Sequence, residues 1–156
     1  MPITVPKVKI SVRAETRAAR RYEKLVRRSA LSAVSALPKK AWLRKAEAYE
    51  LAVTLASPKQ IQRLNKQFRK KDKPTDVLSF PLWQAHPTQA SVHMGDICLC
   101  PSVARTYAKE QGHSLEQELK VLTVHGILHL CGYDHEADDA EAQRMFRLQE
   151  RIVAML

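Results

Sequence analysis

Apolar residues follow two different spacings along this chain, and each spacing predicts a different element. Short apolar runs, alternating most clearly in residues 3–12 and 49–56, predict strands, because successive strand side chains point to opposite faces. Residues 76–80, with Pro81 as the stop, and residues 92–100 complete a set of four strands. Pro2 and Pro6 interrupt the first of them, so it is expected at an edge of the sheet.

Apolar spacing of three to four residues, together with capping signals, predicts five helices. They cover residues 14–37, 59–69, 101–111, 115–130 and 137–155. Ser57 and Ser114 stand where N-caps are expected, and helix 59–69 is expected to turn Ile61, Leu64 and Phe68 inward. These elements predict an α+β fold with a mixed four-stranded sheet packed with helices, in a single domain over residues 1–156.

The net charge of the chain indicates what kind of partner it could bind. Lysine and arginine number 26 against 16 acids, a net charge of +10, and a basic surface suits a polyanion such as RNA, DNA or anionic lipid. The alternative is a basic, well-solvated protein that binds no nucleic acid. The cations concentrate in residues 13–28 and 59–73, whereas acids concentrate near the C-terminus.

Membrane and secreted classes are not favoured. No run approaches the ~18 apolar residues of a membrane helix, and the N-terminus lacks a charged segment followed by an apolar core. Three cysteines cannot all pair within one chain, and they fit a reducing cytoplasm better than a disulfide framework. A cytoplasmic protein without membrane contact is expected.

The strongest chemical signal is the run H-G-I-L-H-L-C-G-Y-D-H at residues 125–135. At ~100° per residue, His129 lies on the same helix face as His125, one turn later. His135 would lie ~15 Å from His125 along a continued helix, so the chain must leave the helix to bring it back. Gly132 allows that turn at low cost. The spacing predicts a helix–turn–ligand unit that holds Zn²⁺ with an open fourth position.

The same spacing, H-x-x-x-H-x-x-G-x-x-H, is that of metzincin metalloproteases, with one departure. Those enzymes carry a glutamate general base after the first histidine, where this chain has Gly126. A peptidase of the ordinary mechanism is therefore not favoured, but this departure does not argue against hydrolysis. Cys98 and Cys100 stay open as a fourth ligand for a structural site, whereas Cys131 is expected to point into packing.

A second constellation, N-K-Q-F-R-K-K-D-K-P-T-D-V-L-S-F-P, starts at Asn65. It predicts a helix end, a basic loop and a short strand. Arg69 stands at the helix C-terminus, where the dipole favours a cation, and its guanidinium can hold a phosphate bidentately. A plain surface arginine is the competing interpretation.

Three segments of the chain, taken in order, resemble the YbeY family of bacterial metal-dependent endoribonucleases. They are this run, Gly95-Asp96-Ile97 and the histidine run. The resemblance covers about residues 49–156, and before residue 49 it rests only on a strand followed by a helix. Cys131 is the one departure from the family pattern.

The resemblance implies a role for each matching residue. It gives His125, His129 and His135 as zinc ligands and Arg69 as the functional arginine that acts at the RNA. It also implies processing of the 3′ end of small-subunit (16S) rRNA and ribosome quality control, with rRNA and the small ribosomal subunit as partners.

The expected reaction is hydrolysis of a phosphodiester in single-stranded RNA. Zinc would activate water or polarise a phosphoryl oxygen, and Arg69 would stabilise the developing charge. The general base stays open between the RNA 2′-hydroxyl and Asp134. Two alternatives also stay open: a metallopeptidase with a displaced base, and a non-catalytic ribosome assembly factor whose zinc only holds the fold. Oligomeric state and nickel in place of zinc are not decided.

Overall fold

A mixed four-stranded sheet runs through the computed structural model, which describes residues 6–156. The strands stand in the order β1-β2-β4-β3; β1, β2 and β4 are parallel, and β3 is antiparallel to β4. Their bounds are β1 Lys7–Ala14, β2 Ala48–Leu55, β3 Val77–Ala85 and β4 Ser91–Leu99. The described helices are α1 Glu23–Ser35, α2 Pro58–Arg69, α3 Pro101–Gln111, α4 Leu115–Leu130 and α5 Asp139–Val153. The predicted α+β fold is confirmed.

Both faces of the sheet are covered by helices. Along β4, Ile97 and Leu99 belong to the main core with α1, α4 and α5, whereas Cys98 between them belongs to a second cluster. Because neighbouring side chains of a strand point to opposite faces, the two clusters lie on opposite sides of the sheet. Ile61 of α2 packs in the second cluster. The main core follows α4, which is buried along most of its length.

The prediction that Pro81 stops the third strand was wrong. β3 continues to Ala85, with an irregular register between Pro81 and Gln84. Proline is tolerated there because β3 lies at the edge of the sheet, where one row of backbone amides needs no partner. Residues 82–85, expected in a loop, therefore belong to the strand.

The first helix is shorter than predicted. Ala14 still pairs with Leu55 in the sheet, and a 3₁₀ turn over Ala18–Tyr22 precedes α1. The Thr16 hydroxyl accepts the backbone N–H of Ala19 at 3.2 Å, which starts that turn. The first strand is described from Lys7 onward, and the part predicted at residues 3–5 lies outside the described residues.

Helix α2 begins as predicted, but one of the three residues predicted to point inward is exposed. The Ser57 hydroxyl caps it by accepting the Gln60 N–H at 3.2 Å, and Ile61 is fully buried. Phe68, however, is 57% exposed, so its predicted inward orientation was wrong. The Phe68 ring packs against the ring of Phe80, with the centroids 5.1 Å apart.

Among residues 6–156, no helix combines the length and the apolarity that a membrane crossing requires.

Candidate metal centre

Helix α4 is fixed along its length before it delivers the first two histidines. The Ser114 hydroxyl accepts the Gln117 N–H at 3.1 Å and caps the helix, as the sequence predicts. Leu119, Ile127 and Leu128 are fully buried against the sheet and the neighbouring helices. Because that face is packed, the face with His125 and His129 is held in one orientation.

The turn after α4 brings the third histidine back. Gly132 has φ +88°, a left-handed conformation that glycine adopts at low cost. Its N–H donates to the His129 carbonyl, and the Tyr133 N–H donates to the Leu128 carbonyl, each at 3.1 Å. The Trp83 indole N–H of β3 donates to the Leu130 carbonyl at 2.6 Å. The predicted helix–turn unit is therefore confirmed, and the last carbonyls of α4 have donors.

Three imidazole nitrogens meet on one side of this turn. His129 Nε2 lies 3.0 Å from His125 Nε2 and 3.1 Å from His135 Nδ1. Two ligands of a tetrahedral zinc with bonds near ~2.1 Å lie ~3.4 Å apart, so the spacing is close to one face of such a site. His125, His129 and His135 are the described group whose atoms can hold a metal ion together.

Gln149 of α5 orients the first of these rings. Its Oε1 accepts a hydrogen bond from His125 Nδ1 at 2.8 Å. A proton on Nδ1 leaves the lone pair of Nε2 free toward the other two histidines, which is the tautomer that a metal needs. Gln149 was missed in the sequence, because nothing in the amphipathic pattern of α5 singles out a glutamine 24 residues after its partner.

The environment keeps two of these histidines neutral. Burial lowers the pKa of His125, and burial together with the neighbouring His125 and His135 lowers the pKa of His129 to about 4. Only neutral imidazole binds a metal ion. At neutral pH these two rings therefore need not lose a proton before binding.

The cysteines take no part in the group. Burial raises the pKa of Cys98 and of Cys131 to about 12 and also raises the pKa of Cys100. All three thiols are buried, and none is among the clustered ligand atoms of the described chain. Since the thiolate is the form that binds metal, burial disfavours the predicted alternative of a cysteine as fourth ligand. Cys131 points into packing, as expected.

Gly126 sits where helix and sheet touch. A Cβ there would lie 3.1 Å from two side-chain carbons of Ile97 and 3.3 Å from Ser79 Oγ. Residue 126 therefore faces the sheet, and a methyl group there would require the side chains of Ile97 and Ser79 to shift by a few tenths of an ångström. The glycine therefore suits the close approach of helix and sheet at this position.

An open cleft of about 750 Å³ extends from the three histidines to the end of α2. Its lining combines Phe68 and Arg69 of α2, residues 75–81 of β3 and the segment before it, and residues 132–136 of the turn. Of the two basic segments, the one at residues 59–73 reaches this cleft through Arg69, whereas no residue of 13–28 lines it. The structure thus brings together all four predicted site residues.

The loop after Arg69 is held by side chains of α2. Lys70 ends the helix with φ +60°, and the Asn65 amide N–H donates to the Lys73 carbonyl at 2.9 Å. The Gln62 amide donates to Asp72 Oδ1 at 3.1 Å. These contacts fix the direction in which the chain leaves the helix immediately after Arg69.

Carboxylates also line the cleft. Asp134 Oδ1 accepts the Glu136 N–H at 2.8 Å, so it shapes the turn that carries His135. Asp76, half-buried at the start of β3, lies close enough to favour the charged form of His125. The sequence signal for Asp76 was its place in the T-D-V-L-S-F run, but no functional role was predicted for it.

The chain is similar to known proteins over most of its length. A family model described as Endoribonuclease YbeY matches residues 9–156. Endoribonuclease YbeY of Aquifex aeolicus is 44% identical over 107 residues, which cover 69% of this chain and 70% of that protein. The Staphylococcus carnosus protein of the same name is 44% identical over 108 residues, covering 67% and 70%. A solution structure from Thermotoga maritima has a TM-score of 0.59 at 32% identity, covering 93% of this chain and 87% of that one.

Proposed function

This chain belongs to the Endoribonuclease YbeY family, and on that premise we propose that it is a metal-dependent endoribonuclease that hydrolyses phosphodiesters of single-stranded RNA. One observation carries the proposal: three imidazole nitrogens converge in a cleft that also holds Arg69. The net charge of +10 supports a polyanionic substrate.

The biological substrate that we propose is 16S rRNA near its 3′ end, with a second role in ribosome quality control. The family resemblance of the segment from Asn65 onward and of the histidine run supports this choice. We further propose that one domain over residues 1–156 carries the activity in the cytoplasm, in contact with the small ribosomal subunit.

His125, His129 and His135 are the proposed ligands of Zn²⁺. The donor set fits, because His129 Nε2 lies 3.0 Å from His125 Nε2 and 3.1 Å from His135 Nδ1, and the group opens to the cleft. Zinc held there supplies Lewis-acid chemistry toward a phosphodiester. Gln149 keeps His125 in the tautomer that offers Nε2.

Arg69 has the second role in the proposed mechanism. It lines the same cleft as the histidines, and its guanidinium can donate two hydrogen bonds to the oxygens of one phosphate. The extra negative charge that develops on those oxygens during hydrolysis is stabilised by a fixed cation more than the ground state is. Arg69 therefore acts on the transition state as well as on binding.

The general test pairs metal content with substrate choice. Purified protein is analysed for zinc by mass spectrometry and incubated with an rRNA fragment and with casein, each with and without chelator. We expect zinc near one per chain and chelator-sensitive RNA cleavage. Casein cleavage would favour the metallopeptidase, and loss of helicity on chelation without any RNA cleavage would favour the assembly factor.

Replacing Arg69 by alanine is expected to lower RNA cleavage by ~10²–10³-fold, the effect of removing one preorganised donor to a developing oxyanion. Zinc content and circular dichroism should stay at wild-type values, because Arg69 is exposed and is not one of the clustered metal-ligating residues. The measurement is single-turnover cleavage of a labelled RNA.

Arg147→Ala is the matched control for that variant. It removes the same charge from an exposed position on α5 that does not line the cleft. Equal loss in both variants would mean that overall charge, not the position of Arg69, sets the rate. Cleavage by Arg69→Ala at the wild-type rate would end the proposed role.

Replacing Gln149 by methionine is expected to weaken zinc binding by ~10–100-fold, the usual effect of removing the partner that orients a metal-binding histidine. Methionine keeps the length of the side chain but cannot accept the Nδ1 proton of His125. A competition titration against a chromogenic chelator measures the affinity. The control is Gln143→Met, at an exposed position of the same helix, which should bind zinc as the wild type does. If Gln149→Met also bound zinc with wild-type affinity, Gln149 would have no role in zinc binding.

A further inference from the structure

Phe68 is exposed where a buried residue would be expected. Its side chain follows the apolar spacing of α2, yet 57% of the residue is open to solvent. Burial of a phenylalanine removes a large apolar surface from water and stabilises a fold, and this position leaves much of that stabilisation unused. Phe68 is also the residue before Arg69, and both line the cleft of the three histidines.

The Phe68 side chain packs against a second aromatic ring. Its ring centroid lies 5.1 Å from that of Phe80, with the planes at 64°, an edge-to-face geometry that is favourable for aromatic pairs. Phe80 belongs to β3, pairs with Asp96 in the sheet and is half-buried. A ring fixed by the sheet therefore supports an exposed ring on the helix, and both rings line the cleft.

Cations lie beside Phe68 in the chain, whereas the acids Asp76, Asp134 and Glu136 also line the cleft. Lys66, Arg69, Lys70, Lys71 and Lys73 surround Phe68 in the chain and are exposed. The only acid of the segment, Asp72, is engaged with Lys66 at 3.7 Å and with Gln62 at 3.1 Å. An aromatic surface among cations fits a polyanion that carries flat apolar groups, which describes an unpaired strand of nucleic acid.

We propose that the Phe68–Phe80 pair is a stacking platform for one unpaired nucleobase of the RNA bound in the histidine cleft. The base stacks on the exposed ring of Phe68 while its phosphate meets Arg69. In a duplex the bases are already paired and stacked, and none can reach the platform. The platform therefore contributes to the preference for single strands.

This inference rests on the proposed function, and the test separates the two. The probe is a ten-nucleotide RNA with 2′-O-methyl groups throughout, bound at equilibrium to the zinc-loaded protein as a single strand and as a duplex. The variants are Phe68→Leu, which keeps an apolar side chain without a ring, and Phe68→Trp, which restores one. Tyr107→Leu is the control, because Tyr107 is 49% exposed on α3 and does not line the cleft.

We expect Phe68→Leu to weaken single-strand binding about tenfold, within the range for loss of one base–aromatic stack, and to leave duplex binding unchanged. Phe68→Trp should restore wild-type affinity, and Tyr107→Leu should not alter it. The salt dependence of single-strand binding should keep its slope in Phe68→Leu, because no phosphate contact is lost, whereas Arg69→Ala should reduce the slope by ~1.

Equal single-strand affinity of Phe68→Leu and wild type overturns the platform, and so does an equal loss for single strand and duplex. In both cases wild-type binding and cleavage leave the proposed endoribonuclease intact. A wild type that binds no single-stranded RNA overturns the proposed function itself, and the platform with it.

Discussion

Replacing His129 by alanine is expected to reduce zinc affinity by more than ~100-fold and RNA cleavage to the background of the assay. His129 Nε2 is the middle nitrogen of the three, 3.0 Å from His125 Nε2 and 3.1 Å from His135 Nδ1. Its removal leaves two ligands, whereas a catalytic zinc usually has three from the protein. The expected loss exceeds the ~10–100-fold typical of a change that only disturbs a ligand's partner.

The fold should survive this change. His129 is half-buried and its pKa is lowered to about 4 mainly by burial, so the side chain is uncharged in the packed helix at neutral pH. Alanine has a higher helix propensity than histidine. Circular dichroism and urea unfolding of the metal-free proteins, read beside zinc content and cleavage rate, give the comparison.

His86→Ala is the control, since His86 is exposed and does not line the cleft. Cleavage by metal-free His129→Ala at the wild-type rate would rule out the zinc mechanism. If the variant and the chelated wild type both lose their helices, the metal holds the fold and the assembly-factor alternative gains support.

The part of the site that lies within one short segment could be predicted from the sequence. His125 and His129 share a helix face because the helical repeat requires it, and Gly132 marks the turn that returns His135. Each of these inferences needs only the geometry of neighbouring residues. For the same reason the caps at Ser57 and Ser114 were predicted correctly.

The part that depends on distant contacts could not be predicted in this way. The amide of Gln149 reaches His125 only because α5 packs on α4. Phe68 follows the apolar spacing of α2 but is 57% exposed, whereas the polar Asn65 is buried, so the periodicity predicted the wrong orientation for Phe68. Pro81 stops a central strand and not an edge strand, and which strand forms the edge is decided by the whole sheet.

A large loss of folding stability is expected when Gly126 is replaced by a charged residue. Replacing it by glutamate restores the metzincin motif in sequence, but it is expected to lower the free energy of unfolding by more than ~3 kcal/mol and to create no peptidase. The Cβ alone would lie 3.1 Å from Ile97 side-chain carbons, and overpacking a core costs ~1–3 kcal/mol. The carboxylate would add a desolvation penalty of several kcal/mol, because residue 126 is buried and the three atoms nearest its Cβ carry no positive charge.

Two controls separate packing from charge in that result. Gly126→Ala adds only the methyl group, and its gain of ~1 kcal/mol in helix propensity offsets part of the overpacking, so a net loss below ~2 kcal/mol is expected. Gln143→Glu adds the same charge at an exposed helical position and should change stability by less than ~0.5 kcal/mol. Urea unfolding measures all three, and casein is the peptidase substrate. A Gly126→Glu protein of wild-type stability that cleaves casein would place residue 126 in the cleft and restore the metallopeptidase alternative.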